Sequence, residues 1–585
     1  MKKFYTAIFA LFASIQMMAQ GWPANYNGVM LQGFFWDSYA ETKWSNLESQ
    51  ADTLAKYYRL IWVPQSGYCN TLTNQMGYAD IWWFDQKSCF GSAAELKSMI
   101  KTFKAKNLLT IADVVINHKN GNTNWCDFPT ETWEGHGTMT WSLADICKND
   151  DNGKTKNAGY LVTGANDTGD DLDGCRDLDH TSANVQKNIK LYLHFLQEEM
   201  GYAGYRYDMT GGYAPKYTKL YNEDAQPQFS VGEYWKDNGL SGLKNWIDGT
   251  GKTSAAFDFQ LKWLIRDAFN EGGTKWNTLA NYTTRSLIGN KDYRRYAVTF
   301  VDNHDTYRKS SDKLNANEEA ANAYILTMPG TPCVFLTHWM QYKTAIKKMI
   351  LAREITGVNN ESEVLTSKGE SSGYTVAVKG TKGNMLLQLG NTTTNTEGYQ
   401  LAVSGENYKL YVSNDLDISE IKNVVDETNT TKLPDFVTVQ EGTYAYFEKP
   451  QNWGSTIHVW AWNSKNNNEN VYSGALWPGT ISDKDITKVG TNNGCDVFLW
   501  KYSGTKTPDM IIFNDGTNQT SNLKFTNGGY YNYAQGLVAT GINDVKVPTL
   551  QAFDINAPKY NIAGQRVDKD YKGIYIQNGK KYIAR

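Results

Sequence analysis

Short apolar runs alternate with amphipathic helical patterns between residues 28 and 345. Eight of these runs have the length and the β-branched or aromatic content of buried strands. They lie at residues 29–35, 60–64, 108–116, 203–207, 229–233, 255–259, 297–302 and 331–336. Eight strands separated by helices predict an α/β fold, a (β/α)8 barrel, with an open doubly wound sheet as the alternative.

The rest of the chain divides by its pattern. A long stretch rich in Asn, Asp, Gly and Thr follows the third strand, and we expect a functional inserted subdomain at residues 119–178. Strand-type alternation begins near residue 355, and the run TYAYFEK (443–449) falls in its first part. The predicted divisions are a signal segment at 1–20, the barrel at 21–350, an all-β C-domain at 351–449, a β-sandwich at 450–535, and a linker with a β-like tail at 536–585.

The N-terminus has the pattern of an export signal. Two lysines follow Met1, an apolar run extends from Phe4 to Ile15, and the small residue Ala19 lies near the expected cleavage site. The apolar run is too short to span a bilayer, and no later segment offers 18 continuous apolar residues. We expect a secreted or cell-surface protein without a transmembrane segment.

Composition narrows the classes of function. The 58 Lys and Arg residues nearly balance 61 Asp and Glu residues, so the net charge is −3. No global basic field is therefore available to bind nucleic acid or an anionic membrane. Aromatic residues make up 13% of the chain, with 19 Trp and 37 Tyr, which is more than core packing usually needs. Flat aromatic rings stack well on sugar faces.

Polar residues collect at the ends of four predicted strands. In a barrel the carboxyl ends of all strands meet at one rim, where catalysis occurs. Carboxylates held together raise one another's pKa, as a general acid near neutral pH requires. A single acid of this kind more often caps a helix or pairs with a lysine, but four strand ends at once favour a catalytic site. The residues are Asp113, Asn117, His118, Arg206, Asp208, Glu233, Asp302, His304 and Asp305.

These strand ends carry a family resemblance. DVVINH (113–118), GYRYD (204–208), VGEYW (231–235) and FVDNHD (300–305) resemble the four conserved segments of the α-amylase family of glycoside hydrolases. QGFFWDS, RDLDH and GTPCVF are similar to further family segments, and GYRYDMTGGYAPKYTKLY is most similar to the plant-like branch. The resemblance covers roughly residues 28–448.

The resemblance implies hydrolysis of glycosidic bonds with retention of configuration. Asp208 would be the nucleophile, Glu233 the acid/base, and Asp305 a carboxylate that binds hydroxyls and stabilises the oxocarbenium-like transition state. The carboxyl groups of a retaining pair lie about 5–5.5 Å apart. The resemblance implies further contacts. Arg206 would keep the nucleophile ionised. His118 and His304 would bind sugar hydroxyls, and Tyr78 would stack beneath the sugar.

One position departs from the family pattern. Relatives often have Lys or Arg three residues after the nucleophile, where it contacts the leaving side, and here that residue is Gly211. The product pattern and the affinity of the leaving side therefore stay open. Asp113 and Asp302 are interpreted as structural supports.

An acidic loop lies in the predicted insert. Six Asp residues crowd into positions 167–179, and hard oxygen ligands at this density suit Ca²⁺. On charge alone a solvated acidic loop is the default, but the family resemblance favours a structural calcium site beside Asp208. The implied ligands are the side chains of Asn117, Asp167 and Asp177 and the carbonyls of Asp170 and Gly212, with Asp171 available to a second ion.

The segment IHVWAW (457–462) alternates apolar residues with His458, Trp460 and Trp462. This pattern fits either a sheet packed on both faces or a core face backed by a sugar-stacking face. NWGSTIHVWAW, LWPGT and IIFNDGTNQTSNL resemble a starch-binding carbohydrate module. The implied sugar contacts are Trp460, Trp462, Trp477 and Gln519.

The expected activity is that of an endo-acting α-amylase, which cleaves internal α-1,4-glucosidic bonds of starch and malto-oligosaccharides. We expect a monomer that needs no cofactor beyond Ca²⁺. A maltooligosaccharide-forming or transglycosylating relative has the same catalytic residues and is the first alternative. A non-catalytic starch-capture protein is the second, and intact Asp208 and Glu233 argue against it. The tail YNIAGQRVDKDYKGIYIQNGKKYIAR resembles C-terminal sorting tails of secreted Bacteroidetes proteins, in agreement with export.

Overall fold

The computed structural model divides the chain into two compact units, residues 1–427 and 428–585. The described residues are 21–424, 433–434, 436–466, 468–479, 485–492, 494–534 and 536–539, without the side chains of residues 150 and 151, together with the backbone of four strands between residues 559 and 584. The predicted signal segment and most of the predicted linker lie outside the described residues. Among the helices of the described part, none has the length and apolar composition that crossing a membrane requires.

Eight parallel strands close into a barrel in the first unit. Consecutive barrel strands pair with each other, and the first pairs with the last through Met30 and Cys333. The strands are β1 Met30–Gln32, β2 Leu60–Val63, β3 Leu109–Val114, β4 Gly204–Tyr207, β5 Phe229–Gly232, β6 Ala255–Phe257, β7 Ala297–Phe300 and β8 Thr331–Phe335. Each lies within one of the eight predicted runs, so the barrel is confirmed and the open-sheet alternative is wrong.

The apolar runs form strands because the barrel buries both of their faces. Every residue of β2, β4, β5 and β8 is buried, as continuous apolar runs in a parallel sheet require. Aromatic rings fill the interior, with 5.3 Å between the ring centroids of Trp62 and Phe257 and 5.5 Å between those of Phe257 and Phe300. The barrel is a packed core, so its chemistry lies on the loops at the carboxyl rim.

Helices cover the outside of the barrel. The helix after β2 begins with a capping box, in which the Glu95 carboxylate accepts from the Ser92 amide at 2.8 Å. The helix before β4 continues as a π-helix at Phe195–Met200. The α-helices are Trp44–Ser49, Ala51–Tyr57, Ala93–Ala105, Lys154–Asn157, Ala183–His194, Pro215–Ala225, Gly239–Gly249, Phe259–Glu271, Tyr282–Arg285, Glu318–Thr327, Leu336–Gln341, Lys343–Thr356 and Ser419–Lys422. Segments of 3₁₀-helix lie at Leu143–Asp145, Asp150–Gly153, Gly273–Asn281, Arg294–Tyr296 and Thr306–Arg308.

The predicted insert lies between β3 and β4. A short antiparallel ladder between His118–Lys119 and Arg176–Asp177 closes its base. A second ladder within the insert pairs Glu131–Trp133 with Gly137–Met139. Because the strands of the first ladder come from the two ends of the insert, the insert returns to the part of the rim that it leaves.

Five antiparallel strands follow the barrel within the first unit. They are β9 Val364–Gly369, β10 Ser372–Lys379, β11 Asn384–Asn391, β12 Tyr399–Gly405 and β13 Tyr408–Ser413, in the sheet order β9-β10-β11-β13-β12. The Tyr408 hydroxyl donates to the Glu319 carboxylate at 2.6 Å. This bond ties the sheet to the barrel helix Glu318–Thr327.

The second unit contains a two-sheet sandwich. Its strands are β14 Thr443–Glu448, β15 His458–Asn463, β16 Glu469–Asn470, β17 Ile486–Asn492, β18 Cys495–Tyr502, β19 Met510–Asn514, β20 Leu523–Lys524, β21 Gly529–Asn532 and β22 Gly536–Ala539. The sheets are β17-β18-β14-β21-β22 and β16-β15-β19-β20. Phe447 stacks on Phe513 between the sheets, with ring centroids 4.4 Å apart. The tail adds a sheet β24-β23-β25-β26, made of β23 Lys559–Asn561, β24 Arg566–Val567, β25 Gly573–Gln577 and β26 Lys580–Ala584.

Two predicted boundaries in this region are wrong. The run TYAYFEK, expected in the C-domain, contains β14 of the sandwich and pairs with β18 and β21. The sandwich also extends past residue 535, because β22 pairs with β21. Alternation of apolar and polar residues predicts a strand, but it carries no information about partners that are distant along the chain.

Candidate active site

One buried guanidinium links three carboxyl groups at the carboxyl rim of the barrel. Arg206, in β4, is 1% exposed. Its Nη1 lies 2.8 Å from Asp113 Oδ1 and 2.7 Å from Asp208 Oδ1. Its Nη2 lies 2.7 Å from Glu233 Oε1. The structure thus brings together the predicted nucleophile, acid/base and structural support, which belong to three different strands.

The barrel ladder determines where these side chains begin. The Asp208 amide donates to the Val114 carbonyl at 3.0 Å, and the Glu233 amide donates to the Tyr207 carbonyl at 3.0 Å. The Met209 amide donates to Glu233 Oε2 at 3.1 Å. The Glu233 carboxyl group is therefore held by backbone on one side and by the guanidinium on the other.

Charges at this rim are not balanced, because one guanidinium faces three buried carboxyl groups. Burial, followed by the charges of Asp208 and Asp305, raises the pKa of Glu233 to about 8 against the opposing charge of Arg206. Burial also raises the pKa of Asp113 to about 6. A carboxyl group is protonated at neutral pH when its pKa lies above 7, which holds for Glu233 but not for Asp113, so Glu233 has a proton that it could donate.

A stack of aromatic rings lies beside the carboxyl groups. The rings of Tyr78 and His304 are 5.3 Å apart and 12° from parallel. The Tyr78 hydroxyl donates to Asp113 Oδ2 at 2.9 Å and lies 2.8 Å from His304 Nε2. The Gln32 amide nitrogen lies 3.0 Å from His304 Nδ1, and burial lowers the pKa of His304 to about 4. The neutral imidazole therefore holds the edge of the tyrosine ring against the acids.

Trp36 and Arg308 belong to this site, although the sequence analysis did not select them. Trp36 is stacked nearly parallel to Tyr78, with ring centroids 5.8 Å apart. The Arg308 guanidinium carbon lies 3.6 Å from the centroid of the Trp36 ring, and Arg308 Nη1 lies 3.5 Å from Asp305 Oδ1. Asp305 Oδ2 also lies 3.2 Å from His304 Nε2. The available signals were the tryptophan inside QGFFWDS, after β1, and the arginine three residues after Asp305.

His118 is engaged within the protein. It is 2% exposed, its Nε2 donates to the Tyr78 carbonyl at 2.9 Å, and its Nδ1 lies 3.3 Å from Asn117 Nδ2. The ring holds the backbone of the residue that supplies the aromatic wall. The contact between His118 and a sugar hydroxyl stays a prediction.

Acidic groups of the insert meet next to Asn117. One oxygen each of Asp167, Asp171 and Asp177 lies within 4.8 Å of the others. Asn117 Oδ1 and Asp167 Oδ2 are buried without a hydrogen-bond partner. Burial, reinforced by the charge of Asp171, raises the pKa of Asp167 to about 6. A hard divalent cation would satisfy these oxygens, so the residues fit such an ion.

Glycine leaves room for this cluster. A Cβ on Gly212 would collide with the Asn117 side-chain oxygen, so only a glycine lets the loop after β4 approach so closely. The Asp170 carboxylate pairs with Lys236 at 2.9 Å, which is consistent with the prediction that Asp170 contributes its carbonyl. Asp171, expected at a second ion, belongs instead to the same cluster as the other acids.

Trp460, which is half-buried, and Trp477 form a partly exposed ring pair in the second unit. Their ring centroids are 5.8 Å apart, and Trp477 is 49% exposed. The Asn514 amide donates to the Pro478 carbonyl at 2.9 Å, which holds the loop that carries Trp477. The opposite face of β15 belongs to the core of the sandwich through Ile457, Val459 and Ala461. The core face is thus established, whereas on the other face Trp460 is half-buried and His458 is buried, so the sugar-stacking interpretation stays a prediction.

Trp462 and Gln519, the other two predicted sugar contacts, differ in how accessible they are. Trp462 is only 7% exposed and lies opposite Met510 in the ladder, so its predicted role as an open stacking platform is wrong. Alternation assigns Trp462 to the correct side of the strand but does not show what covers it. Gln519 is half-buried and bridges Asn514, opposite His458, so it lies at the end of the same strand pair.

Two family models match the chain. A model of the α-amylase catalytic domain matches residues 66–348, and a model of starch-binding module 26 matches residues 445–525. The first range contains Arg206 and the three acids around it, together with Asp305. The second contains the sandwich strands from β14 to β20 and the partly exposed ring pair.

Individual proteins show the same similarity. Probable alpha-amylase 2 of Arabidopsis thaliana is 32% identical over 405 residues, which cover 66% of this chain and 93% of the relative. Glucan 1,4-alpha-maltotetraohydrolase of Stutzerimonas stutzeri is 28% identical over 403 residues, which cover 63% of this chain and 69% of that protein. The solved α-amylase of Geobacillus thermoleovorans, complexed with acarbose, has a TM-score of 0.50 at 15% identity and covers 66% of this chain and 98% of its own. The last likeness shows the fold alone.

Calcium should stabilise the first unit through the acidic cluster. At a free concentration of about 100 times its Kd, a bound ion adds about 2.7 kcal/mol to the free energy of unfolding. We expect chelation to lower the midpoint of thermal unfolding and Asp177→Asn to remove this dependence on calcium. Asp173→Asn is the control, because Asp173 lies in the same loop but outside the cluster. Equal sensitivity to chelation in wild type and Asp177→Asn would contradict the assignment.

Proposed function

The chain belongs to the α-amylase family of glycoside hydrolases, with a starch-hydrolysing catalytic domain joined to a starch-binding module, and from this premise we propose an endo-acting enzyme. It hydrolyses internal α-1,4-glucosidic bonds of starch and malto-oligosaccharides with retention of configuration. The observation that carries this proposal is the single buried guanidinium shared by Asp208 and Glu233. Burial raises the pKa of Glu233 to about 8 although the guanidinium opposes this shift, so Glu233 holds a proton at neutral pH beside the carboxyl group of Asp208.

The first half of the reaction uses both groups. Glu233 donates its proton to the glycosidic oxygen as the bond from that oxygen to C1 breaks. The Asp208 carboxylate, stabilised by Arg206 at 2.7 Å, attacks C1 and forms a glycosyl ester. Asp305 stabilises the positive charge that develops on the sugar ring, while the ring of Tyr78 supports one face of the sugar. The leaving chain departs with the proton as its new hydroxyl group.

The second half returns the site to its starting state. Glu233, now a carboxylate, accepts a proton from a water molecule, and the resulting oxygen nucleophile attacks C1. The ester bond to Asp208 breaks, and the sugar leaves with a new hydroxyl group on the face that the original bond occupied. Two displacements at C1 therefore retain the configuration.

We propose Ca²⁺ as the ion of the acidic cluster. Its ligands are the side chains of Asn117, Asp167 and Asp177 and the carbonyls of Asp170 and Gly212, with Asp171 alongside them in the same cluster. When bound, the ion supplies positive charge to a group of buried oxygens and ties the insert to the loop that follows Asp208. This role is structural, since the carboxyl groups that act on the substrate belong to a separate cluster around Arg206.

The starch-binding module would retain the enzyme on its polymeric substrate. Trp460 and Trp477 stack on glucose rings, and Gln519 offers a polar contact nearby. This proposal is supported by the partly exposed ring pair on β15 and the following loop, which lies on the side of β15 opposite the core of the sandwich. We further propose a monomer that the N-terminal signal segment directs out of the cell, supported by the basic start and short apolar run of that segment.

A maltooligosaccharide-forming enzyme is the second candidate. It is favoured by the similarity to a protein named glucan 1,4-alpha-maltotetraohydrolase and by Gly211, which departs from the usual residue on the leaving side. Both candidates use the same acids. They differ in where along the polymer the chain is cut, so the products separate them.

A time course on soluble starch separates the two candidates. For internal cleavage, we expect the iodine colour to disappear while few new reducing ends have formed. Slow loss of colour with one dominant small product would instead identify the maltooligosaccharide-forming enzyme. The Glu233→Gln protein serves as the blank for both signals.

The acid role of Glu233 predicts a pH dependence. Because its raised pKa is about 8, the group is protonated below that pH and loses its proton above it. The value of kcat/KM on maltoheptaose should therefore fall as pH rises through about 8. Glu233→Gln should lower kcat by about 10³-fold or more while sedimentation with insoluble starch is unchanged. Full hydrolytic activity in this variant would exclude Glu233 as the acid.

The partly exposed rings of Trp460 and Trp477 predict that binding to starch can be weakened without loss of hydrolytic activity. Trp460→Ala combined with Trp477→Ala should weaken binding to insoluble starch by about tenfold or more, because the accessible ring faces are lost. Activity on soluble maltoheptaose should stay at the wild-type level. Leu476→Ala, at a neighbouring residue that is 83% exposed, is the matched control. Unchanged adsorption of the double variant would show that starch binds elsewhere.

A further inference from the structure

Gly211, three residues after Asp208, has no backbone reason to be a glycine. Its φ lies outside the left-handed region that favours glycine. A Cβ at this position would instead lie 2.7 Å from Lys236 Cε and 3.3 Å from Lys236 Cγ. The space that a side chain at 211 would need is therefore filled by a lysine from a different strand end.

Lys236 reaches this position from the loop that follows β5. It comes three residues after Glu233, and its ammonium pairs with Asp170 Oδ1 at 2.9 Å. The Lys236 side chain is 24% exposed, so it is held in place without being cut off from the rim. The insert also contacts the loop that follows β4, since a Cβ on Gly169 of the insert would overlap the backbone of Gly211. The insert and the loops after β4 and β5 therefore meet here.

We propose that Lys236 is a specificity-determining residue that binds the sugar on the leaving side of the scissile bond. This inference rests on the proposed function. Glu233 protonates the oxygen that leaves, so the sugar attached to that oxygen lies on the side of Glu233. Lys236 continues the same loop, and its ammonium has three donors, of which Asp170 takes one. The others can donate to sugar hydroxyls.

The ion pair with Asp170 holds the Lys236 side chain in one position. A free lysine side chain is flexible, and holding it costs conformational entropy at the moment of binding. Here the stem lies across Gly211 and the carboxylate fixes the ammonium before the sugar arrives. The same cation could be supplied from position 211 itself if the stem of Lys236 were removed. Relocation of the charge therefore tests whether a cation is needed at this place, and the comparison of two substrates distinguishes sugar binding from a structural role.

The test compares two substrates. Maltoheptaose has sugars on both sides of the cleaved bond, whereas 2-chloro-4-nitrophenyl maltotrioside has only an aryl group on the leaving side. Lys236→Met should lower kcat/KM on maltoheptaose about tenfold or more, the loss expected for a charged hydrogen-bond donor, and leave the aryl substrate within about twofold. Lys236→Ala combined with Gly211→Lys should restore most of the activity on maltoheptaose. Lys101→Met, at an exposed lysine of an outer helix, is the control.

The possible failures are distinguishable. Unchanged activity of Lys236→Met on maltoheptaose would overturn the inference while the proposed function stands. Equal losses on both substrates, or a lower midpoint of thermal unfolding in calcium, would overturn it in favour of a structural role for the ion pair. Absence of starch hydrolysis by the wild-type protein would instead overturn the proposed function, and the inference with it.

Discussion

The catalytic rim depends on the burial of one guanidinium. Burying a positive charge costs free energy unless the charge is paired, and the ends of three barrel strands supply Asp113, Asp208 and Glu233 to Arg206. Burial and the charges of neighbouring acids raise the pKa of Glu233 to about 8, above the value of about 6 for Asp113, because one cation cannot neutralise three acids. The proton that Glu233 holds at neutral pH thus follows from burial and from the surplus of acids around one guanidinium.

Two consecutive glycines after Asp208 show how the rim accommodates groups from other loops. Gly212 leaves space for the oxygen of Asn117, and Gly211 leaves space for the stem of Lys236. Neither glycine has a left-handed backbone. Because neither has a side chain, the loop that follows Asp208 can contact both the acidic cluster of the insert and the loop that follows Glu233. The acidic cluster and Lys236 can therefore both approach this loop because neither glycine has a side chain.

In the second unit, alternation of residue types predicts the face on which a side chain lies, whereas packing determines whether that side chain is exposed. A period of two assigns Trp460 and Trp462 to one face of β15, and the structure agrees. Exposure is a different property, because it depends on loops and neighbouring strands. The loop before Pro478 brings Trp477 to the accessible face, whereas Trp462 is covered. For the same reason, the sequence predicts that β14 is a strand, but only the strands that pair with it show to which sheet it belongs.

The amino-acid sequence by itself determined the eight barrel strands, since short apolar runs rich in β-branched and aromatic residues suit strands that a parallel sheet buries on both faces. It also determined the chemical types at the strand ends, because a barrel brings all carboxyl ends to one rim. Only the tertiary structure decided which acids share Arg206, that Trp36 extends the aromatic wall, and that Lys236 fills the space over Gly211. Those outcomes depend on distances between loops that are far apart along the chain, and local residue patterns contain no measure of such distances.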